Sequence, residues 1–499
     1  MRKVKIKNFL KNLSPCIGGI CGGIATSSYL WIFLMPISLV ILWNGFEKNK
    51  SNFLWGFSFV ALSHCWLLHL HPLTWIGFSW VTSIGLTIFI WLGVSLLGGL
   101  LVSLWGFIGK ILFSQKTLLK QNNIELIVNL FLICCLWAFG ELLLSQTPFY
   151  WISLGETLIP GDLYLSGLAR WFGAPGLTII QLLIGYWIFF IYKSFNLRQN
   201  IKKSLLKGIL IISFLHLVGF FLIFPVQNVS KYPVSIWQTN IPTRKKSNIS
   251  NKKMKEAFSD SQEKALSQNA KLFIAPEGTL RTNFTFDEPV KIDTLIGGFR
   301  EDKKNIKSSL LVFLKSEKNY SNSKDKYRTV PLGEKVPSFL DIFGNGLSSI
   351  GGIQSGVKSR YFQINGGNIS PLAVAICYEI SDGINLSNAV KKGSKLIVSI
   401  LNLDPYPSKL QAQFLSLARI RTIENNRDLV LAANTGPSGL IRSDGRIDML
   451  FDTNQEDIQI VFPSLLSHMT FYTKFGNKPL FCIFLFFLFS RKFTYQAPS

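Results

Sequence analysis

The chain has 499 residues, of which 48% are hydrophobic and only 16% charged, and its mean hydropathy is +0.30. Such a composition excludes an ordinary soluble protein, and the length allows two or more domains. The 52 Lys and Arg against 28 Asp and Glu leave a formal charge of +24, which suits either nucleic acid or loops beside an anionic membrane, so the placement of the charges has to decide.

The start, MRKVKIKNFLKNLSPCIGGICGGIATSS, is basic, then apolar, then small, as in a signal peptide, but apolar sequence resumes at once in YLWIFLMPISLVILW. It therefore reads as a first membrane segment. A span needs about 20 mainly apolar residues. Such stretches cover 10–28, 29–44, 53–73, 82–109, 124–144, 173–192 and 205–225, and LFCIFLFFLF at 480–489 makes about half a span, to be extended into the preceding FGNKP or the following RKF or else read as a buried anchor. Basic residues gather at the N-terminus (Arg2, Lys3, Lys5, Lys7, Lys11) and after the second, fourth and sixth stretches (Lys48 and Lys50; Lys110, Lys116 and Lys120; Lys193, Arg198, Lys202 and Lys203). The alternate loops are nearly free of them, Arg170 excepted. The positive-inside rule then predicts a cytoplasmic N-terminus and, after seven crossings, a polar region outside the cytoplasm. Basic residues that follow the sides of a membrane require no nucleic acid.

Between about 232 and 465 the rhythm changes. VSIWQTNI, KLFIAPEG, PLAVAICYE, SKLIVSILNL and LVLAANTG are short β-branched runs that end at polar residues or glycine, as buried strands do. KLQAQFLSLARIRTIENNR places Leu410, Phe414, Leu417 and Ala418 near one helical face. Alternating strands and helices predict an α/β or layered α+β domain with a mixed sheet.

Three strand ends carry reactive groups: Glu277, Cys377, and Asn402 with Asp404. Cys377 is the one cysteine between residues 226 and 478, so a disulfide within this region is excluded. A thiol needs a base or a positive charge beside it to react near neutral pH. Glu277 is a candidate base, and Lys326 in DKYRTVPLGE a candidate cation. Each also has a bland reading: a core thiol, a solvated turn glutamate and a surface lysine. His64, His69 and His71 read as interfacial histidines rather than a metal site, because no carboxylate or thiolate set joins them. Glu141, costly in hydrocarbon, should face a polar interior.

WQTNIP, IAPEGT, VPLGEKVP, ICYEI, ARIRTIENNR, ANTGPSGLIRSDGRI and FYTKFGN together resemble the nitrilase superfamily, with its Glu-Lys-Cys triad. Seven spans, this domain and a last span resemble, over nearly the whole chain, the apolipoprotein N-acyltransferase family. The resemblance implies a polytopic α-helical membrane domain of about eight spans (1–228), an extracytoplasmic nitrilase-like αββα sandwich (229–468) and a C-terminal membrane helix and tail (469–499). It implies Glu277 as general base, Cys377 as nucleophile and Lys326 as the triad lysine, with Lys324 as rival for that place. Glu334, Tyr378 (through its backbone N–H), Glu379 and Asn402 become supporting residues. The implied substrates are a membrane phospholipid as acyl donor and a diacylglyceryl apolipoprotein as acceptor. Neither cofactor nor metal is expected, the protein is expected as a monomer, and its place is the bacterial cytoplasmic membrane with the catalytic domain on the periplasmic side. The same triad with water as acceptor would instead make a membrane-anchored amidase. One departure stands out: where the family follows its asparagine with aspartate, a small residue and an aromatic pair, this chain has NLDPYPS, which keeps Asn402 but offers only Tyr406 as an aromatic.

Overall fold

A chain in hydrocarbon must pair every backbone N–H and C=O within its own segment, so the apolar first half folds as helices. The computed structural model describes residues 2–74, 77–113, 123–147, 150–224, 230–242, 251–303, 305–331, 333–334, 352–367, 369–404 and 406–495, without the side chains of 2–12, 123 and 492–495. The helices are α1 (Arg2–Ala25), α2 (Trp31–Gly45), α3 (Asn49–Ser63), α4 (Trp80–Phe113), α5 (Asn123–Leu144), the single turn α6 (Leu163–Ser166), α7 (Ala169–Asn196) and α8 (Lys202–Leu222). Among the described residues, α4, most of α5, α7 and α8 are long and apolar enough to cross a membrane. Lys116, Lys120 and the boundary expected at 228/229 lie outside the described residues.

One expectation is corrected. The stretch 53–73 is not one helix: α3 stops at Ser63 and Cys65–Leu70 forms a 3₁₀ segment. The Ser63 carbonyl accepts instead from Gln413 Nε2 (2.8 Å), and Pro72 follows shortly, so the helical ladder is interrupted. The last segment takes the extended form, running on through RKF as Lys478–Tyr495. Small residues let the helices approach closely: a Cβ on Gly98 of α4 would lie 2.3 Å from Val60 Cγ2 of α3. Glu141 does face the bundle interior, where its carboxylate accepts from Trp137 Nε1 (2.9 Å), Leu154 N (2.7 Å) and Thr178 Oγ1 (2.7 Å).

The polar region forms two six-stranded mixed sheets. The first has the order β12-β1-β2-β3-β4-β5, from β1 (Val234–Gln238), β2 (Leu272–Leu280), β3 (Asp293–Asp302), β4 (Asn305–Phe313), β5 (Asn322–Asp325) and β12 (Asp457–Val461). The second has the order β11-β10-β9-β8-β7-β6, from β6 (Tyr361–Phe362), β7 (Leu372–Ile376), β8 (Ile397–Leu401), β9 (Leu429–Ala433), β10 (Gly439–Ile441) and β11 (Ile447–Leu450). β1, β2 and β3 run parallel, as do β7, β8 and β9.

Period-two alternation explains the stacking. In the first sheet Ile236, Ile274, Leu310 and Val312 join Val374, Val398 and Val430 of the second sheet in one core. Their sequence neighbours Trp237, Phe273, Leu311 and Phe313 pack outward on Phe258 and Ala265 of α9 (Asn251–Ser267). The second sheet is covered by α10 (Gly383–Lys391) and α11 (Ser408–Asn425), so the layers read αββα. Leu410, Phe414, Leu417 and Ala418 of α11 share that sheet-side core, as their spacing predicts. Ile420 and Ile423 of the same helix belong to the membrane bundle's core instead. α11 is thus the floor on which the two parts meet.

Buried polar contacts pin this junction. Arg421 of α11 pairs with Glu156 and, at 2.5 Å, with Glu424. Glu424 also accepts from the amide of Ala174 on α7 (2.9 Å). Arg170, the basic exception among the outer loops, bonds Leu222 O, Asn426 Oδ1 and Ser443 O, so it is a docking residue rather than a topological signal. α7 bends at Gly173, whose φ of +62° suits glycine, and the ring of Tyr472 from α12 (Phe471–Phe475) sits where a Cβ would stand. The final helix, α13 (Lys478–Tyr495), packs against α5 through Phe484 and Phe139, whose ring centroids are 5.1 Å apart.

Candidate active site

Cys377 is the first residue beyond β7, where the strand turns into a 3₁₀ segment ending at Ser381. Its φ is +50°, a left-handed conformation that a side chain bearing a Cβ adopts at a cost of about 1–2 kcal/mol. Glu379 holds this sharp exit. Its Oε2 accepts from Ile376 N (2.8 Å) and Arg360 Nη1 (2.5 Å), and its Oε1 accepts from Tyr327 N (2.6 Å). The carboxylate that follows the cysteine by two residues is therefore the brace of the turn.

Glu277 arrives from the first sheet. Between Ala275 and Leu280, β2 takes five steps while its partner β3 takes two, from Ile296 to Gly298. The extra residues bulge, and bulges re-aim side chains. Gly297 makes room: a Cβ there would lie 2.4 Å from Glu277 Cα. Lys326 follows β5 and is fully buried. Its Nζ donates to Glu277 Oε1 (2.9 Å) and Glu334 Oε1 (2.7 Å), and Glu334 Oε2 accepts from Val330 N (2.9 Å). Lys324 goes elsewhere, to the carbonyl of Tyr361 (2.8 Å).

The electrostatics follow from burial. Desolvation, with Glu277 next and Glu334 behind it, pushes the Cys377 thiol far above its ordinary range, against the pull of Lys326 and of the Asn402 amide bonded to it. Burial opposes the Lys326 ammonium too, but Glu277 and Glu334 outweigh it and hold the pKa well above normal. Burial raises Glu334, with Lys326 opposing. The resting sulfur is consequently a thiol. An adjacent ammonium alone would predict a standing thiolate; the lack of solvent, then Glu277 and behind it Glu334 prevent it, and deprotonation has to accompany reaction.

The remaining expected residues are placed as follows. The Asn402 side chain accepts from Asn434 Nδ2 (3.2 Å), while its backbone amide serves Cys377. Tyr378 stacks on Trp151 of the membrane part (centroids 5.7 Å apart, 18° between planes) and donates to Tyr150 O. Tyr406 meets Trp66 edge-on at 5.7 Å, and Trp66 in turn meets Trp151 at 5.9 Å. The aromatic neighbours of this loop thus come from the membrane part, Trp66 on its 3₁₀ segment and Trp151 behind it. Residues that sequence reasoning missed include Ser308, whose hydroxyl donates to Glu277 Oε1 (3.0 Å) and whose carbonyl accepts from Lys326 N (2.8 Å). Arg328 and Arg360 were missed as well, and nothing in a strand serine or a loop arginine signals such roles. His64 and His71 bond Ser63 and Ser83, and among the described residues no group of three or more His, Cys, Asp or Glu could hold a metal ion.

An αββα domain with a thiol, a carboxylate and an ammonium between its sheets, set against a bundle of apolar helices, is the arrangement of a membrane-embedded enzyme. No family model matches the chain. Curated relatives do: a protein of Prochlorococcus marinus subsp. pastoris, named apolipoprotein N-acyltransferase, is 50% identical over 97% of this chain and 97% of its own length. One of Parasynechococcus marenigrum with the same name is 34% identical over 93% of this chain and 96% of its own length. The chain belongs to the apolipoprotein N-acyltransferase family and is an acyltransferase. Among solved structures, an amidase of the nitrilase superfamily from Nesterenkonia AN1 matches with a TM-score of 0.37 and 12% identity, covering 52% of this chain and 99% of its own. Saccharomyces cerevisiae Nit3 matches with 0.35 and 15%, covering 47% and 90%. Likeness at that level carries no functional weight.

Proposed function

We propose that the enzyme moves a fatty acyl chain from a membrane phospholipid to the N-terminal amine of the diacylglyceryl cysteine of an apolipoprotein, through a thioester on Cys377. Glu277 takes the thiol proton as Cys377 Sγ attacks the ester carbonyl. Lys326 and the Tyr378 amide face the oxyanion, and a donor of this kind is worth about 10²–10³ in rate. The C–O bond breaks, the proton on Glu277 passes to the departing lysophospholipid alkoxide, and the acyl group stays on sulfur. The neutral amine of the lipopeptide then attacks the thioester, Glu277 accepts the amine proton, the C–S bond breaks and the thiol is regenerated beside a new amide. Dividing one hard displacement in two is the advantage of covalent catalysis.

The observation that carries this reading is the buried cluster of Glu277, Lys326 and Cys377 at a wall built partly by Trp151 of the membrane part, in a chain of this family. Both substrates are lipid-anchored, so a site bordered by membrane loops suits them. The alternation of basic loops supports a cytoplasmic-membrane protein with the domain on the periplasmic side; the divisions at about 228 and 468 and a monomeric state follow from the resemblance. The experiment is mass spectrometry of the purified protein after incubation with phospholipid alone, then with a diacylglyceryl lipopeptide. We expect a hydroxylamine-labile acyl adduct on Cys377 that is discharged into an N-acylated peptide. Absence of the adduct, or its discharge only as free fatty acid, would defeat the reading, the latter in favour of a hydrolase.

A further inference from the structure

We propose that Arg328 receives the phosphodiester of the acyl donor, fixing the headgroup end of the lipid while Cys377 attacks its ester; this rests on the phospholipid-to-lipopeptide reading above. Arg328 is buried, and among the described residues its charge is matched differently from those of Lys326, Arg360, Arg421 and Arg427. Lys326 has Glu277 and Glu334, Arg360 has Glu379, and Arg421 has Glu156 and Glu424. Arg427, without a carboxylate, is saturated by carbonyls of Ser394, Asn425, Asn426, Ser467 and His468. The guanidinium of Arg328 donates to one carbonyl, Thr147 O (2.8 Å), hydrogen-bonds the Tyr378 side chain, and stands over the rings of Tyr378 (4.9 Å) and Tyr150 (5.9 Å). Burial pushes the Tyr378 phenol up to about 12, so that ring brings a π-face and no negative charge. Glu379 accepts from the Arg328 backbone amide at 3.4 Å but gives its other oxygen to Arg360. Among the described residues no carboxylate lies within ion-pair distance of this guanidinium, and Asp341 is the one carboxylate outside them.

A buried cation without an anion is unfavourable, and a π-face offsets only part of that. A phosphodiester is the anion whose geometry a guanidinium fork matches. Position agrees with chemistry. Tyr378 follows Cys377 directly in the chain, and Arg328 stands over its ring. In a glycerophospholipid only the glycerol backbone separates phosphate from acyl ester. Thr147, which anchors Arg328, lies three residues beyond the end of α5, at the level where headgroups meet a spanning helix.

The test compares acylation of Cys377 in one detergent from two donors, palmitoyl phosphatidylglycerol and the uncharged p-nitrophenyl palmitate, by intact-mass spectrometry. Arg328→Gln should slow acylation from the phospholipid at least tenfold more than from the neutral ester, and Arg328→Lys, which keeps the cation but loses the fork, should fall between. Equal slowing with both donors in both variants would make Arg328 a docking residue only and overturn the proposal, as would no slowing. Inorganic phosphate should leave the native rate unchanged; inhibition that Arg328→Gln abolishes would overturn the lipid as source of the anion. A native protein acylated by the neutral ester but never by phospholipid would sink the donor reading itself and Arg328's role with it.

Discussion

Replacing Lys326 with methionine leaves the carboxylates of Glu277 and Glu334 buried without the ammonium that now sits 2.9 and 2.7 Å from them. At an effective dielectric of about 20 each contact is worth about 6 kcal/mol of gross attraction, most of it offset by desolvation. The variant's cheapest escape is to fold with a carboxylate protonated. For a glutamate whose ordinary value is 4.5, that costs about 1.4 kcal/mol per pH unit above it, hence about 3 kcal/mol at pH 7 and about 1 kcal/mol at pH 5.5. The sign is fixed: the folded variant keeps a proton that the unfolded chain has lost, so its stability falls as pH rises. In the native protein the raised Lys326 contributes stability that is complete at neutral pH and is lost only in strong alkali. Denaturation of both proteins in one detergent between pH 5.5 and 8 should therefore show a gap that widens with pH. Adding Glu334→Gln to the variant should close much of it. A gap that stays constant with pH, or below about 1 kcal/mol throughout, would refute the buried triangle of charge. Thioester formation should fall about 10²–10³-fold in the same variant, since an oxyanion partner is gone.

Three further outcomes are expected. Because burial and Glu277 keep Cys377 a thiol, iodoacetamide at pH 7.5 should alkylate it at least about tenfold more slowly than a free thiol, and Lys326→Met should slow it further; fast alkylation would contradict the protonation state. Arg421→Met strands Glu156 and Glu424 at the junction and should destabilise by about 3–5 kcal/mol on denaturation; a neutral effect would show the junction ions to be dispensable. Lys324 is half-buried, and burial, with Arg360 second, lowers it to about 8. The unfolded chain then binds the extra proton between about pH 8 and 10.5, so stability should rise with pH across that window by about 1 kcal/mol after discounting for solvent. Lys324→Met should flatten the rise.

The reading of particular residues shows where sequence stops. Leu410, Phe414, Leu417 and Ala418 declare a helical face, and that face packs on the second sheet. The other face of the same helix, with Ile420 and Ile423, gives no hint that a membrane bundle covers it. Arg170 looks like a charge on the wrong side of a membrane until Asn426 and Ser443 are found beside it. The 53–73 stretch is apolar enough for one span, yet a glutamine 350 positions away takes the Ser63 carbonyl and the helix ends there. Tyr406 looks isolated because its aromatic neighbour, Trp66, belongs to a distant segment.

By itself the sequence determined the apolar helices, the strands and the chemical types of Glu277, Lys326 and Cys377, because hydrocarbon, pleated sheets and reactive groups each impose a pattern on neighbouring residues. Only the tertiary structure decided what those groups are. Glu277 and Lys326 are 49 residues apart in the chain and 2.9 Å apart in space. The proton on Cys377, the pairing of Glu334, the bracing role of Glu379 and the lack of a carboxylate partner for Arg328 among the described residues all depend on which charges share one buried volume. Coulomb energy and desolvation are set by distance and exposure, and neither is a property of adjacent letters.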